Sequence, residues 1–502
     1  MHRILSCQEP PPPTINFDVL FRILDFATRD VAASLMRTCR TLNLQGAKHL
    51  FKSPVVLETD DQAVSFVQFF VARNDKSAAS HRYHLLRDLC IKLASPSYEA
   101  AAALTFFFAH IAVPYLANFV RLELHHPEDL LGANEELRPA ISALPLLQSI
   151  KVTNAGPLCG AMLEDLRSPL VFAYVDIDWE SDIESDPAML FRNARHTLQE
   201  LEAYWTDSLT RDAPKFRMLR RLSLNHVPVP SPRVLKRVCP NLRHLHINDS
   251  SRQDWVEMQE IRDDHATQHS WHSLHVYSGS VNVLYMLHLR CPISRLDIHD
   301  EDTPLPPLAI QEILLDSRPT HLILETDRTG ASYYFNSEFI SLFSQPGFWH
   351  WPLKTLELVI KFRPFYDEGV SVEDLLGNIL RILRGITTIR AFRLKLDVSR
   401  LELIESSISD EGSDTDDATT AVEDVIPDDE DDDAFESEGP DMVPVECELE
   451  GTDLEGLVEL VMAHQPYLET AIVSISGHTT RGAVSHQKGP DIVYDADDSV
   501  TQ

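Results

Sequence analysis

The sequence predicts an α/β protein in which a short N-terminal trio of helices precedes a solenoid of strand–helix repeats, a curved parallel sheet with its helices outside. Three observations predict it. Apolar residues in the first fifty positions recur at the helical period. A six-residue pattern, apolar-x-x-apolar-x-apolar, then returns a dozen times at steps of 21 to 36 residues, the span of one strand plus one helix. Finally, 502 residues at 44% apolar content exceed one compact core and exclude wholesale disorder.

Residues 1–14 end in the run Pro10 to Pro13 and read as a disordered arm. The helical module covers 15–54. Phe17, Leu20, Phe21 and Leu24 fall on one face at period 3.6. Asn16 stands where an N-cap is expected, and Asp18 lies in the first turn, where the helix dipole favours a carboxylate. A second run starts near Asp30 and places Val31, Leu35, Cys39 and Leu42 on one stripe. A third ends at Leu50-Phe51 before Ser53-Pro54. So small a module carries little core of its own and needs a neighbour or a partner.

The repeats occupy 55–400. Clear copies include Leu86-Arg-Asp-Leu89-Cys-Ile91, Phe119-Val-Arg-Leu122-Glu-Leu124, Leu219-Arg-Arg-Leu222-Ser-Leu224, Trp271-His-Ser-Leu274-His-Val276 and Leu353-Lys-Thr-Leu356-Glu-Leu358. The middle apolar residues stand at 89, 122, 150, 173, 201, 222, 245, 274, 296, 322, 356 and 392. Alternation in a strand turns these residues inward and their neighbours outward. One strand and one helix cannot enclose a core, whereas stacked neighbours can. An ordinary α/β domain would show a similar strand–helix alternation.

Residues 101–120 carry no formal charge, but His110, Pro114 and Asn118 interrupt them. They read as a buried helix over 100–111, a turn at Pro114 and a strand, not a membrane span. Residues 401–451 form a disordered acidic insertion: 405–450 hold twenty Asp or Glu and no Lys or Arg. A final repeat follows at 452–477, and 478–502 read as a disordered tail.

Lys and Arg number 44 against 77 Asp and Glu, a formal charge of −33. That balance opposes a phosphate-neutralising surface and an anionic membrane surface, so neither a nucleic acid nor a membrane is expected as a partner. Seven scattered cysteines without a C-x-x-C pair fit a reducing compartment, and no secretory signal is visible; a cytoplasmic or nuclear site is expected. No phosphate-binding glycine loop, zinc-protease motif or nucleophile elbow occurs, so no catalytic residue, cofactor or metal is expected and the chain is read as a non-enzyme.

The stretch Ile15-Asn-Phe-Asp-Val-Leu-Phe-Arg-Ile-Leu, then Asp30-Val31 and Thr38-Cys39-Arg40, resembles the F-box motif. Ile15 stands at its opening Leu, Asn16 at its Pro, Val19-Leu20 and Ile23-Leu24 at its two Ile-Leu pairs. Cys239-Pro-Asn-Leu242 and Cys291-Pro292 look like the cysteine-containing leucine-rich repeats of F-box proteins. The chain thus resembles the divergent F-box/leucine-rich-repeat proteins of fungi. The resemblance implies a substrate receptor of a Skp1-cullin-F-box ubiquitin ligase, a monomer within that complex. It would bind a Skp1-like adaptor through Ile15, Val19, Leu20, Ile23, Leu35 and Cys39, for which plain helical core is the alternative reading. The repeats would hold a protein substrate. A non-ligase scaffold, or an acidic chaperone for a basic protein such as a histone, is the alternative.

Residues flanking the inner apolar positions would line the exposed sheet face. Those expected to meet a substrate are Arg221, Asn225, His244, His246, His275, Tyr277, Arg295 and Asp297. The spacing of neighbouring parallel strands would let His246 and His275 stack. The same face reads alternatively as merely solvated, or as a metal- or pH-sensing His cluster, the run from His265 through His269 and His272 to His275 included.

Overall fold

The computed structural model describes residues 16–71, 82–179, 186–248, 253–268, 270–301, 303–326, 335–343, 349, 351–363, 367, 370–401, 444–477 and 482–492. The chain divides into two compact units, residues 1–228 with 237–242, and residues 229–236 with 243–502.

The first unit begins with three helices, α1 (Phe17–Phe26), α2 (Arg29–Met36) and α3 (Arg40–Leu50). The Asn16 side chain caps α1 by accepting the Asp18 amide at 3.1 Å. Leu24, Ala32 and Leu42 form the trio's core, with Leu20, Phe21, Leu35 and Cys39 partly buried against it. The stripe expected through Cys39 and Leu42 is divided between two helices. α2 stops at Met36, and Cys39 is the extended N-cap of α3. Arg29 donates to the Ser53 and Pro54 carbonyls, tying α2 to the chain leaving α3.

Seven parallel strands follow: β1 (Val55–Leu57), β2 (Asp88–Ile91), β3 (Arg121–His125), β4 (Ser149–Ala155), β5 (Phe172–Ile177), β6 (Glu200–Tyr204) and β7 (Arg221–Asn225). Each pairs with the next in chain order. Leu89, Leu122, Ile150, Ala173, Leu201 and Leu222 are register partners along one row. All are buried. Helices Pro127–Ala133 and Pro157–Asp165 pack on β4. The helix expected over 100–111 spans Tyr98–Phe107 and runs on through a π-helical turn, Phe108–Ala112. Pro114 therefore sits in a helical turn and not a break. The wide turn carries the Val113 amide to the Phe108 carbonyl, and Pro114 enters at the first turn of Val113–Tyr115, where no amide is needed.

The second unit holds β8 (His244–Asn248), β9 (Leu274–Ser280), β10 (Ile293–His299), β11 (His321–Thr326), β12 (Thr355–Lys361), β13 (Ala391–Asp397), β14 (Thr470–Ser476) and β15 (Val484–Lys488). β8 to β14 are parallel and sequential. β15 turns back antiparallel on β14, so part of the tail expected to be disordered is an edge strand; residues 493–502 lie outside the described residues. Of the acidic insertion, 402–443 lie outside them too. Its last stretch, Pro444–Glu450, is helical, because Val445 and Leu449, four apart, both find buried places. The Glu448 carboxylate accepts the Val372 amide at the start of helix Val372–Gly385.

Side chains before five of the strands tie a repeat to the one preceding it. Asn118, Asn193 and Asn241 donate to the carbonyls of His84, Glu164 and Arg217. Thr320 and Thr388 do the same to Ser294 and Leu353. Among the described residues no helix is long and apolar enough to cross a membrane.

Candidate functional site

Two surfaces carry the residues singled out from the sequence. The first is α1. Its inner face, Leu20, Phe21 and Leu24, meets the trio's core. Its outer side is mixed: beside the exposed Asp18, Arg22 and Asp25 runs an apolar stripe, Val19, Ile23 and Phe26, at helical spacing and 51%, 45% and 86% exposed. A helix lying on a core normally turns polar residues outward, so this stripe is in excess of what the fold buries. Of the expected adaptor residues, Val19 and Ile23 are on it. Leu20, Leu35 and Cys39 are partly buried beneath, and Ile15 lies outside the described residues.

The second surface is the polar sheet face of each unit. In the first unit, Arg221 is half-buried 4.0 Å from Glu200. Asn225 was expected on the open face but is buried, and its amide donates to the Ser223 hydroxyl at 3.0 Å. Beside them, Tyr174 and Tyr204 place their rings 5.3 Å apart. The carboxylates of Asp176 and Glu202 alternate with them in the β5/β6 register. Burial, and then Asp178 for Asp176 and Glu200 for Glu202, raises both pKa values.

In the second unit His244, His246, Arg295 and Asp297 are half-buried on the sheet face. Arg295 and Asp297 approach to 3.8 Å. Burial outweighs that neighbour, and with Glu325 and Glu357 nearby it pushes the Asp297 carboxyl up to about 6. The His246–His275 stack is not made. His275 lies against His244, ring centres 5.6 Å apart, and His246 shares a hydrogen bond with Ser278 at 2.8 Å.

The reason is a register error at β9. Leu245 pairs with Tyr277, and Tyr277 pairs with Leu296. The repeat is therefore Leu274-x-x-Tyr277-x-Gly279, three residues later than the spacing suggested. Tyr277 faces the core, fully buried, and donates to the Ser280 carbonyl at 3.0 Å; it does not line the open face. Val276 and Ser278 take the outward places. The histidine run is also dispersed. His265 is buried in a helix against the Met286 carbonyl, His272 is exposed, and His269 lies outside the described residues.

One constellation has no counterpart among the sequence expectations. Cys90 on β2 and Glu123 on β3 are register partners, and His125 is two residues further on the same face. One ligand atom from each lies within 4.8 Å of the others. His125 Nε2 is 2.8 Å from Glu123 Oε1, its Nδ1 is 2.9 Å from the Thr153 hydroxyl, and Lys151 Nζ is 3.3 Å from Glu123. Burial and then Glu123 push the Cys90 thiol up to about 11. Burial opposes the Glu123 charge, but the His125 hydrogen bond and Lys151 together hold its pKa below the usual value. No motif spacing announces this trio. Aligning the repeats would have: Cys90 and Glu123 hold the same outward slot in Leu89-Cys-Ile91 and Leu122-Glu-Leu124.

No family model matches the chain, and no curated protein matches it.

Proposed function

We propose that this chain is an F-box/leucine-rich-repeat substrate receptor of a Skp1-cullin-F-box ubiquitin ligase, working in the cytoplasm or nucleus. The open apolar stripe of α1, Val19, Ile23 and Phe26, carries the reading. An apolar helix face left outside the core is what a helical adaptor would cover. α1 to α3 are then the F-box handle, and the parallel strand–helix repeats are the leucine-rich array that holds a protein substrate on its polar face. In this reading the chain performs no chemistry. It raises the effective concentration of a substrate lysine beside a ubiquitin thioester carried by another protein. The full-length chain should retain purified Skp1-like adaptor and cullin at micromolar concentrations; failure to do so removes the ligase role.

The net charge of −33 favours a second reading, an acidic scaffold or chaperone that captures a basic protein such as a histone. Deleting 405–450 separates the two. Capture of basic proteins is lost in the second reading, while adaptor binding is unchanged in the first.

A further inference from the structure

We propose that Cys90, Glu123 and His125 are a binding site for a divalent transition ion, with zinc as the favoured occupant. The inference is independent of the ligase reading, since no part of it involves α1 to α3.

The donor set decides the class of ion. A thiol, a carboxylate and an imidazole are the three side chains that zinc takes. Magnesium and calcium take oxygen ligands, and a sulfur donor is wasted on them. Placement comes from the sheet. Cys90 and Glu123 face each other across neighbouring parallel strands, and His125 joins them because alternate residues of β3 share a face. Donor atoms within 4.8 Å of one another reach a common ion by side-chain rotation, without backbone movement. For bonds of about 2.0 to 2.3 Å, tetrahedral donors stand roughly 3.3 to 3.8 Å apart. The sheet face leaves the fourth position to water.

The second shell fits the same role. The Thr153 hydroxyl, 2.9 Å from His125 Nδ1, can donate or accept. With the imidazole proton on Nε2, the ring donates to Glu123 and Nδ1 accepts from Thr153. With the proton on Nδ1, the ring donates to Thr153 and its Nε2 lone pair faces the cluster. Metal binding to a neutral imidazole therefore moves one proton within the ring and releases one, from the Cys90 thiol, to solvent. Such an orienting partner on the far nitrogen is characteristic of ligating histidines. Lys151 is the competing cation. Its side chain is 41% exposed, and the Tyr174 ring, 5.2 Å from Nζ, offers a place to which it can retreat.

The test is cobalt(II) chloride titrated into the reduced full-length chain. The expected result is a thiolate-to-cobalt charge-transfer band in the near ultraviolet with strong visible bands of a tetrahedral ion, all bleached by zinc. Cys90→Ser should remove the charge-transfer band. His125→Asn, on a side chain 23% exposed and so a milder change to the fold than one at the buried Cys90, should weaken cobalt binding at least tenfold. Lys151→Met should tighten it several-fold, a gain that damage to the fold would not produce. Cys447→Ser should leave the spectrum unchanged. No charge-transfer band at millimolar cobalt would overturn the proposal. So would a band that survives Cys90→Ser, or one lost with Cys447→Ser.

Discussion

Gly279 lies so close to Ile247 that a Cβ on it would stand 2.1 Å from the Ile247 carbonyl oxygen. Its φ of +130° also lies where side chains are rarely found. Both follow from its place in β9, where it fills the last inward slot of a repeat and lets β8 and β9 approach. Gly279→Ala should therefore cost about 3 kcal/mol or more, from backbone strain plus a contact with backbone that cannot yield. Ser278→Ala beside it loses one hydrogen bond, about 1 kcal/mol. Urea unfolding midpoints of the two variants check this; equal midpoints would refute it.

The same glycine explains where the sequence could be read and where it could not. The middle residues counted from the spacing, from Leu89 to Phe392, lie in strands and are buried, and Leu274 alone among them is displaced from the middle place, which Tyr277 takes. At β9 the apolar spacing selected Trp271-x-x-Leu274-x-Val276, because Gly279 is not an apolar third residue for Leu274-x-x-Tyr277. Only packing shows that Gly279, and not a large apolar residue, occupies the third slot. The break at Cys39 escaped because its apolar stripe continues across a turn. Pro114 misled because a π-helical turn removes the hydrogen bond that proline would break. The Cys90–Glu123–His125 trio depends on register between strands, which no single repeat encodes.

The outer stripe of α1 makes a separable prediction. Val19→Asp with Ile23→Asp changes exposed positions, so stability should stay within about 0.5 kcal/mol of the parent. Leu24→Ala, in the trio's core and 1% exposed, should cost about 2 to 5 kcal/mol. If the stripe is the adaptor surface, the double Asp variant should lose adaptor binding at least tenfold in calorimetric titration while its melting temperature is unchanged. Binding equal to the parent's would assign the stripe no such role.

Glu128 is a cap supplied by one repeat to the next. Its carboxylate accepts the amides of Gly156, Leu158 and Cys159 at 2.8 to 3.0 Å, at the start of helix Pro157–Asp165. Those amides have no partner within their own helix. Glu128→Ala should therefore cost about 1 to 2 kcal/mol, and amide exchange at Leu158 and Cys159 should accelerate selectively. Unchanged exchange at those two amides would show that the cap contributes nothing.

His246 gives the fold an acid sensitivity with a defined sign. Burial, with a smaller contribution from His299, lowers its pKa to about 4, against 6.5 for the free side chain. The unfolded chain thus takes the proton first as pH falls. The stability due to neutral His246 is complete above pH 6.5 and is lost between 6.5 and about 4. Asp297 acts oppositely: raised to about 6, it binds its proton first in the folded state, so acidification below pH 6 stabilises the fold through it. His246→Gln should remove the loss, narrowing the acid-induced fall in unfolding free energy by about 3 kcal/mol. Asp297→Asn should steepen that fall. Urea melts at pH 7.5, 6, 5 and 4 measure both, and curves for parent and His246→Gln that run parallel across this window would show that His246 does not carry the effect.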